Sequence, residues 1–201
     1  MSNGNKRLIR QIEFIKETDR LKDVLRQTYT AGGKRRENDA EHSWHLALMA
    51  ILLHEHANTS LSEGDLLRVI KMLIIHDIVE IDAGDTFAYD DDGLRDKEER
   101  EEKAAQRLFS MLPPDQREEI YGLWREFEER KTPAARFAAA LDRLQPMLLN
   151  YLSEGKAWKA HDVRSRQVYE RNRHIEEGSS ALWEFARLLI DDAVRKGYLD
   201  E

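Results

Sequence analysis

The chain has 201 residues, 41% of them hydrophobic, and a formal net charge of −7 at pH 7. This length fits one domain with a sizeable core, and the negative charge argues against a general nucleic-acid surface, although a small basic pocket can still recognise one phosphate. Cysteine is absent, which excludes disulfides, thiolate nucleophiles and cysteine-bound metal centres, so a bound metal must use histidine and carboxylate ligands.

No membrane-spanning or secretory segment is predicted. The polar residues 1–7 lead into an amphipathic helix, and the longest apolar runs are too short and too interrupted to cross a bilayer. We therefore expect a cytoplasmic protein.

Helical spacing of apolar residues predicts helices throughout the chain, with no convincing strand. A first helix is predicted over residues 8–25, and the Gly32-Gly33 loop separates it from a second helix that carries His42. A capping box of Ser62 and Asp65 begins the helix that leads to His76. Residues 90–93 are predicted to be an acidic loop.

Helix starts are also predicted in the second half of the chain. Residues 94–112 form a charged amphipathic helix with an apolar stripe, and Pro113-Pro114 begins the next one. Thr132-Pro133 begins the helix that bears Asp142. Because Pro146 removes the donor for the Asp142 carbonyl, we expect either a kink that aims the Asp142 side chain or a plain bend in a long helix.

The dipeptide His76-Asp77 ends the apolar run 66–75. Ionisable groups at the edge of a buried helix are costly unless something binds them, and a metal ion is the most economical partner. At about 100° per residue, Glu80 projects about 40° from His76. We therefore expect all three groups to share one helix face.

Other acids and another histidine can join this face. Gly84 can end the helix, with Asp85 following it, while His42 lies at the mouth of a second apolar segment and Asp142 interrupts an Ala/Leu-rich run. Two histidines and two aspartates from three segments could close around one ion. Taken singly, each has an ordinary alternative: a solvated histidine, a turn residue at Asp85, or a surface or capping acid at Asp142.

Three segments carry a resemblance to a known family: residues 37–43, 76–85 and 142–144. Their order, H…HD…D, resembles the signature of the HD-domain metal-dependent phosphohydrolases, over about residues 21–147. Residues 38–43, Glu80 and Asp85 are most similar to the branch that contains bacterial 5′-deoxyribonucleotidases. The resemblance implies an all-α, single-domain HD-type helical bundle that occupies residues 1–201.

Roles for individual residues follow from the same resemblance. The implied metal ligands are His42, His76, Asp77 and Asp142. Glu80 matches the family's catalytic acid beside the phosphate, and Asp85 matches a second acid in the same pocket. Arg26 matches an arginine on the first helix that binds the substrate phosphate. Gln27 stands where those nucleotidases carry a tryptophan that is implicated in excluding a ribose 2′-hydroxyl, so selectivity for deoxyribose stays open.

The expected reaction is metal-dependent hydrolysis of a phosphomonoester, with a nucleoside 5′-monophosphate, deoxy or ribo, as the implied substrate. Imidazole and carboxylate ligands suit Mn²⁺, Fe²⁺, Co²⁺, Ni²⁺ or Zn²⁺ better than Mg²⁺. Glu80 would position or deprotonate the attacking water, or protonate the leaving oxygen, and Asp85 would share this role or orient the sugar. Similar family members are often dimers, which makes a homodimer the expected assembly.

Two rival functions remain open. The protein could be a phosphatase for another phosphorylated small molecule. It could also be a helical interaction protein that keeps a metal only for stability, with the charged residues 94–131 as its partner surface. Glu80 and Asp85 argue against the second rival, because a purely structural ion needs neither. An alternative role for Arg26 is a surface ion pair with Asp23 or Glu37.

Overall fold

A computed structural model describes residues 3–90 and 92–201, and it is mainly helical. The helices, in chain order, are α1 (Asn3–Thr18), α2 (Asp39–Leu53), α3 (Glu63–Ile75), α4 (Glu80–Ala83), α5 (Lys97–Phe109), α6 (Pro114–Glu129), α7 (Pro133–Leu152), α8 (Lys156–Ala160), α9 (Ser165–Asn172), α10 (Ile175–Gly178) and α11 (Ser180–Arg195). Shorter 3-10 helices span Asp19–Asp23, His54–His56 and His76–Val79. The predicted all-α, single-domain bundle is confirmed. The predicted N-terminal segment and acidic loop lie partly outside the described residues, which omit 1, 2 and 91.

The predicted helix starts are borne out by their caps. Ser62 accepts a hydrogen bond from the Asp65 backbone, and the Asp65 side chain accepts one from the Ser62 backbone. Thr132 caps α7 by accepting from the Ala135 backbone. Pro114 is the first residue of α6. These caps satisfy backbone donors that would otherwise lack a helical partner.

The prediction of one helix over residues 8–25 was wrong, because the chain leaves α1 at Thr18 and forms a small hairpin. Strands β1 (Leu25–Tyr29) and β2 (Arg36–Asn38) pair antiparallel. Both strands are too short to show a clear alternation of apolar and polar side chains. Arg26 therefore lies on β1 and not on the first helix.

The helix that carries His76 also differs from the prediction. α3 ends at Ile75, residues His76–Val79 form a 3-10 helix, and α4 begins at Glu80. In 3-10 geometry side chains three residues apart eclipse one another, so Glu80 shares a face with Asp77 more closely than with His76. Gly84 ends α4 with a φ of +75°, a backbone conformation that favours glycine. α5 begins at Lys97, later than the predicted residue 94.

Helix α7 is the centre of the core. It packs against α2, α3, α6, α10 and α11 as well as β1, and Phe137, Ala138 and Leu141 are fully buried. α10 crosses α7 closely, since a Cβ atom on Gly178 would lie 2.3 Å from the Arg136 carbonyl oxygen. This packing fixes the part of α7 that carries Asp142. In the described part of the chain no helix combines the length and apolar character needed to cross a membrane.

Candidate metal centre and its cleft

His42 is buried on α2 and is oriented by a side-chain network. Its Nδ1 lies 2.9 Å from Gln145 Oε1, and Gln145 Nε2 donates to Glu37 Oε1 over 2.7 Å. The Glu37 carboxylate accepts from the amide NH₂, so the amide oxygen faces His42, and His42 Nδ1 must carry the hydrogen. The lone pair of a neutral His42 is therefore on Nε2.

His76 follows α3 and has the same arrangement. Its Nδ1–H donates to the Leu73 carbonyl oxygen over 3.0 Å, and the Phe127 ring packs against the imidazole at 4.7 Å between centroids. Its Nε2 atom is buried and has no hydrogen-bond partner. A buried imidazole nitrogen that is oriented but unpartnered is suited to ligate a metal ion.

The structure brings His42, His76 and Asp142 together. Their donor atoms lie within 4.8 Å of one another, and Asp142 Oδ1 is 3.1 Å from His42 Nε2 and 3.6 Å from His76 Nε2. Asp77 borders this group with two different oxygens: Oδ1 is 3.0 Å from His76 Nε2, and Oδ2 is 3.8 Å from His42 Nε2.

The electrostatics of these groups fit a bound cation. Burial lowers the pKa of His42, so this ring is neutral and has no second hydrogen to give to Asp142. Burial also lowers the pKa of His76, but Asp77 and Asp142 outweigh it and raise that pKa to about 9. Burial raises the pKa of Asp142, yet the adjacent histidines and the charge of Arg143 bring it well below its usual range. A divalent ion would displace the proton from His76 Nε2, and the two imidazole nitrogens beside ionised carboxylates would then form its donor set.

Arg26 is buried beside the metal centre. Its guanidinium donates to Asp77 over 2.8 Å and to Asp39 over 3.1 Å, and its Nε is 3.9 Å from Glu37. Burial lowers the pKa of Arg26, but Asp77 and Glu80 more than offset this and keep it well above the usual value. Glu37, one partner named in the surface alternative for Arg26, does lie within ion-pair distance, but this pair is largely buried and not on the surface.

A second acidic group adjoins the first. Carboxylate oxygens of Asp39, Glu80 and Asp85 lie within 4.8 Å of one another. Burial raises the pKa of Glu80 well above its usual range, with further contributions from Asp77 and Asp39. Burial likewise raises the pKa of Asp39 to about 7 and raises the pKa of Asp85. Glu80 and Asp85 thus stand apart from the histidines but beside the same centre.

His76 and Asp142 of the first group, and Glu80 and Asp85 of the second, line an open cleft of about 1000 Å³, a volume that includes solvent at its mouth. We call the side lined by Asp77, Glu80, Asp85 and Asp142 the acidic wall. The same cleft is also lined by Arg130, Arg143 and Arg171, here called the arginine wall. Burial lowers the pKa of Arg143 and Asp142 raises it, and with the nearby charges of Arg171 and Arg130 the pKa comes to about 10. Aromatic side chains also line the cleft: Phe87, Tyr89, Phe127 and Trp158.

Several of these residues were missed by sequence reasoning. Gln145 lies three residues after Asp142 on α7, a spacing that places both on one helix face, so this signal was available. Asp39 lies within the segment that was compared with the family. The arginine wall comes from α6, α7 and α9, and no spacing along the sequence joins it. Among the other histidines, His45 lies 3.2 Å from the Gln145 amide nitrogen, while His56 is exposed.

Sequence comparisons place this site among known proteins. Residues 18–183 match the profile of the HD domain family. Two curated relatives, both named 5′-deoxynucleotidase HDDC2, come from Bos taurus and Homo sapiens. The bovine protein is 29% identical over 139 residues, covering 68% of this chain and 64% of the relative. The human protein is 28% identical over 138 residues, covering 68% and 65%. The chain therefore matches slightly under two thirds of the length of these relatives.

Solved structures agree with this placement. A predicted metal-dependent phosphohydrolase from Magnetospirillum magnetotacticum is 54% identical, with a TM-score of 0.93, covering 100% of this chain and 99% of the other. The PH0347 protein from Pyrococcus horikoshii has a TM-score of 0.62 at 24% identity, covering 88% and 99%, and shares the fold. The family profile spans most of the chain and includes all four H…HD…D positions, so this protein belongs to the HD domain family.

Proposed function

We propose that the protein is a metal-dependent phosphomonoesterase that converts nucleoside 5′-monophosphates to nucleoside and phosphate. One observation carries this proposal: donor atoms of His42, His76 and Asp142 lie within 4.8 Å of one another beside an open cleft. The relatives named 5′-deoxynucleotidase and the neighbour named a predicted metal-dependent phosphohydrolase support it.

His42, His76, Asp77 and Asp142 would hold the ion. This mixed imidazole and carboxylate set suits Mn²⁺, Fe²⁺, Co²⁺, Ni²⁺ or Zn²⁺ better than Mg²⁺. A bound ion would polarise the phosphate and activate water. Asp77 would have to share its carboxylate between this role and the hydrogen bond from Arg26.

Glu80 and Asp85 would act in proton transfer. In the balanced reaction water adds to phosphorus, the bond from phosphorus to the sugar oxygen breaks, and the leaving oxygen gains a proton. Glu80 is buried on the acidic wall, and its Oε2 has no hydrogen-bond partner, so it is free to position the water or exchange its proton. Asp85 lies beside it and would share this role or orient the sugar.

Arg26 would bind the substrate phosphate. It lines the cleft, and its Nε has no hydrogen-bond partner although its terminal nitrogen contacts Asp39 and Asp77. A guanidinium fixed by two acids is preorganised, so it loses little side-chain entropy when an anion arrives. This argument places Arg26 in substrate binding and not in metal binding.

A turnover screen tests this function. The chelator-stripped protein is supplied in turn with each candidate metal and with a panel of deoxy- and ribonucleoside 5′-monophosphates, sugar phosphates and a diester, and phosphate release is measured. We expect hydrolysis of monoesters with at least one transition metal and none of the diester. If only other phosphorylated small molecules are hydrolysed, the first rival replaces the nucleotidase; if no phosphomonoester is hydrolysed, the metal-stabilised interaction protein does.

We also propose a homodimer in the cytoplasm, with no nucleic-acid partner. An apolar stripe on α2 supports the dimer: Trp44, Leu48 and Ile51 recur at helical spacing and are exposed. Sedimentation of the full chain should give twice the monomer mass, and Ile51→Glu should shift it toward the monomer. A monomeric wild-type protein at micromolar concentration would refute the dimer.

A further inference from the structure

The arginine wall consists of three cations from three separate elements that face one cleft. Arg130 ends α6, Arg143 lies on α7 next to Asp142, and Arg171 lies near the end of α9. Like charges repel, so such a group is unfavourable unless carboxylates or a ligand offset it.

The protein offers this group little compensation. The Nε atoms of all three arginines are buried without a hydrogen-bond partner. Asp142 is the main acid that offsets the charges of Arg143 and Arg171, but it forms no ion pair with either and is also in contact with the two histidines. Across residues 3–90 and 92–201, no ion pair within 4.0 Å involves any of the three, and the cation–π contacts all come from lysines. The three guanidiniums are therefore positioned but unpaired.

Arg130 adds an independent observation. It adopts left-handed backbone angles, φ 50° and ψ 30°, at the end of α6. Glycine is the residue that favours this helix-end position, and a side chain there costs on the order of 1 kcal/mol. Among the described residues Glu154 and Asp162 share a positive φ, and Arg130 is the one of the three that lines the cleft.

We propose that the arginine wall is a second anion subsite, and that the preferred ligand carries a further phosphate besides the one hydrolysed at the metal centre. Guanidinium forks bind phosphate by paired, charge-assisted hydrogen bonds, and three of them call for more negative charge than one carboxylate supplies. The aromatic side chains that line the same cleft can pack against the base or sugar of such a ligand. The substrate class is a bisphosphorylated small molecule, such as a nucleoside 3′,5′-bisphosphate. This inference rests on the proposed function for the end that is hydrolysed.

Binding of matched ligands tests the subsite. Calorimetry measures the Kd of 2′-deoxyadenosine 3′,5′-bisphosphate and of 2′-deoxyadenosine 5′-monophosphate for the full, metal-loaded chain carrying Glu80→Gln, a change expected to slow hydrolysis at least about 10²-fold during the titration. We expect the bisphosphate to bind at least about ten-fold more tightly, the effect of one charge-assisted contact. Equal affinities would overturn the proposal.

Two arginine variants assign the preference to this wall. Arg130→Gly removes a guanidinium and relieves the left-handed backbone, so the fold should melt at or above the parent temperature. Arg171→Gln removes another guanidinium and keeps a polar side chain. In each variant the affinity ratio of bisphosphate to monophosphate should fall about ten-fold, whereas Arg173→Gln, two residues away and exposed, should leave the ratio unchanged.

The outcomes separate the two proposals. If both ligands weaken equally in the arginine variants, the arginines bind the shared phosphate or only support the fold, and the subsite is refuted. Should Arg171→Gln fail to fold, Arg130→Gly decides alone. If the wild type hydrolyses neither compound with any metal while the affinity ratio still depends on the arginines, the proposed function fails and the anion subsite stands.

Discussion

The acidic wall and the arginine wall of one cleft differ in how their charges are balanced. On the acidic wall Asp142 contacts both histidines, and Asp77 contacts His76 and Arg26. On the arginine wall three guanidiniums have buried Nε atoms without partners. Asp77 and Asp142 are paired within the protein, although Glu80 Oε2 on the same wall has no partner. The unpaired guanidiniums, by contrast, are most stable when an anion binds. The difference suggests that one wall performs chemistry and the other selects the substrate.

The largest effect should come from removing a metal ligand. His76→Ala or Asp142→Ala leaves the remaining donors without the spacing that one cation needs, so metal content should fall from about one transition metal ion per chain and turnover should fall to background. Elemental analysis beside a turnover assay measures both. His174→Ala, which removes an exposed histidine paired with Glu177, is the control. Full metal occupancy in either ligand variant would reject the assignment.

Replacing Glu80 should separate chemistry from coordination on the acidic wall. Glu80→Gln keeps the size of the side chain and loses its proton transfer, so turnover should fall by at least about 10²-fold while metal content and fold persist. Glu80→Ala should also lose turnover while keeping its metal and its fold. Glu98→Gln changes an exposed acid on α5 and should have no effect. Wild-type turnover in Glu80→Gln would mean that this carboxyl group has no part in the reaction.

Replacing Arg26 should show whether this cation, which contacts the acidic wall, binds the substrate phosphate. Arg26→Ala should lower kcat/KM by about 10- to 100-fold, the effect of losing a charged hydrogen bond. Because Arg26 also contacts Asp77, metal content must be measured in the same sample and should stay near the wild-type value. Arg26→Lys should recover part of the loss. A parallel drop in metal content would make Arg26 a support of the metal centre instead.

The smallest effect should come from Gln145, a positioning residue that acts through His42. Gln145→Leu removes the acceptor of His42 Nδ1–H and leaves Glu37 without its amide donor. We expect metal affinity to weaken by about ten-fold, as for other groups that orient metal-binding histidines. A metal titration monitors this, with the melting temperature of the metal-free protein as the control for a general loss of stability. Unchanged affinity would show that His42 needs no such support.

The sequence predicted the parts of the molecule that have local signals. Ser62, Thr132 and Pro114 mark helix starts through short-range hydrogen bonds or a fixed φ angle, and the structure confirms them. The hairpin that carries Arg26 was missed because its strands are short and polar. The 3-10 geometry at residues 76–79 was missed because a wheel at 100° per residue assumes an α-helix.

The site, too, has residues that the sequence predicted and residues that it did not. His42, His76 and Asp142 were proposed together because they match an ordered family signature, and the structure places them side by side; their role as ligands stays a prediction. The arginine wall could not be found this way. Arg130, Arg143 and Arg171 are brought to one cleft by the packing of α6 on α7 and of α9 on α11, which itself packs on α7. A lone arginine in a charged sequence resembles any solvated side chain.

A metal titration of the chelator-stripped wild-type protein tests the central claim most directly. Phosphate release from a nucleoside 5′-monophosphate is measured as a transition metal is added, together with the amount of metal bound. The account predicts no turnover without metal and a rise in proportion to bound metal that stops at about one ion per chain. Full turnover in the stripped protein, or none when the site is saturated with each candidate metal, would contradict it.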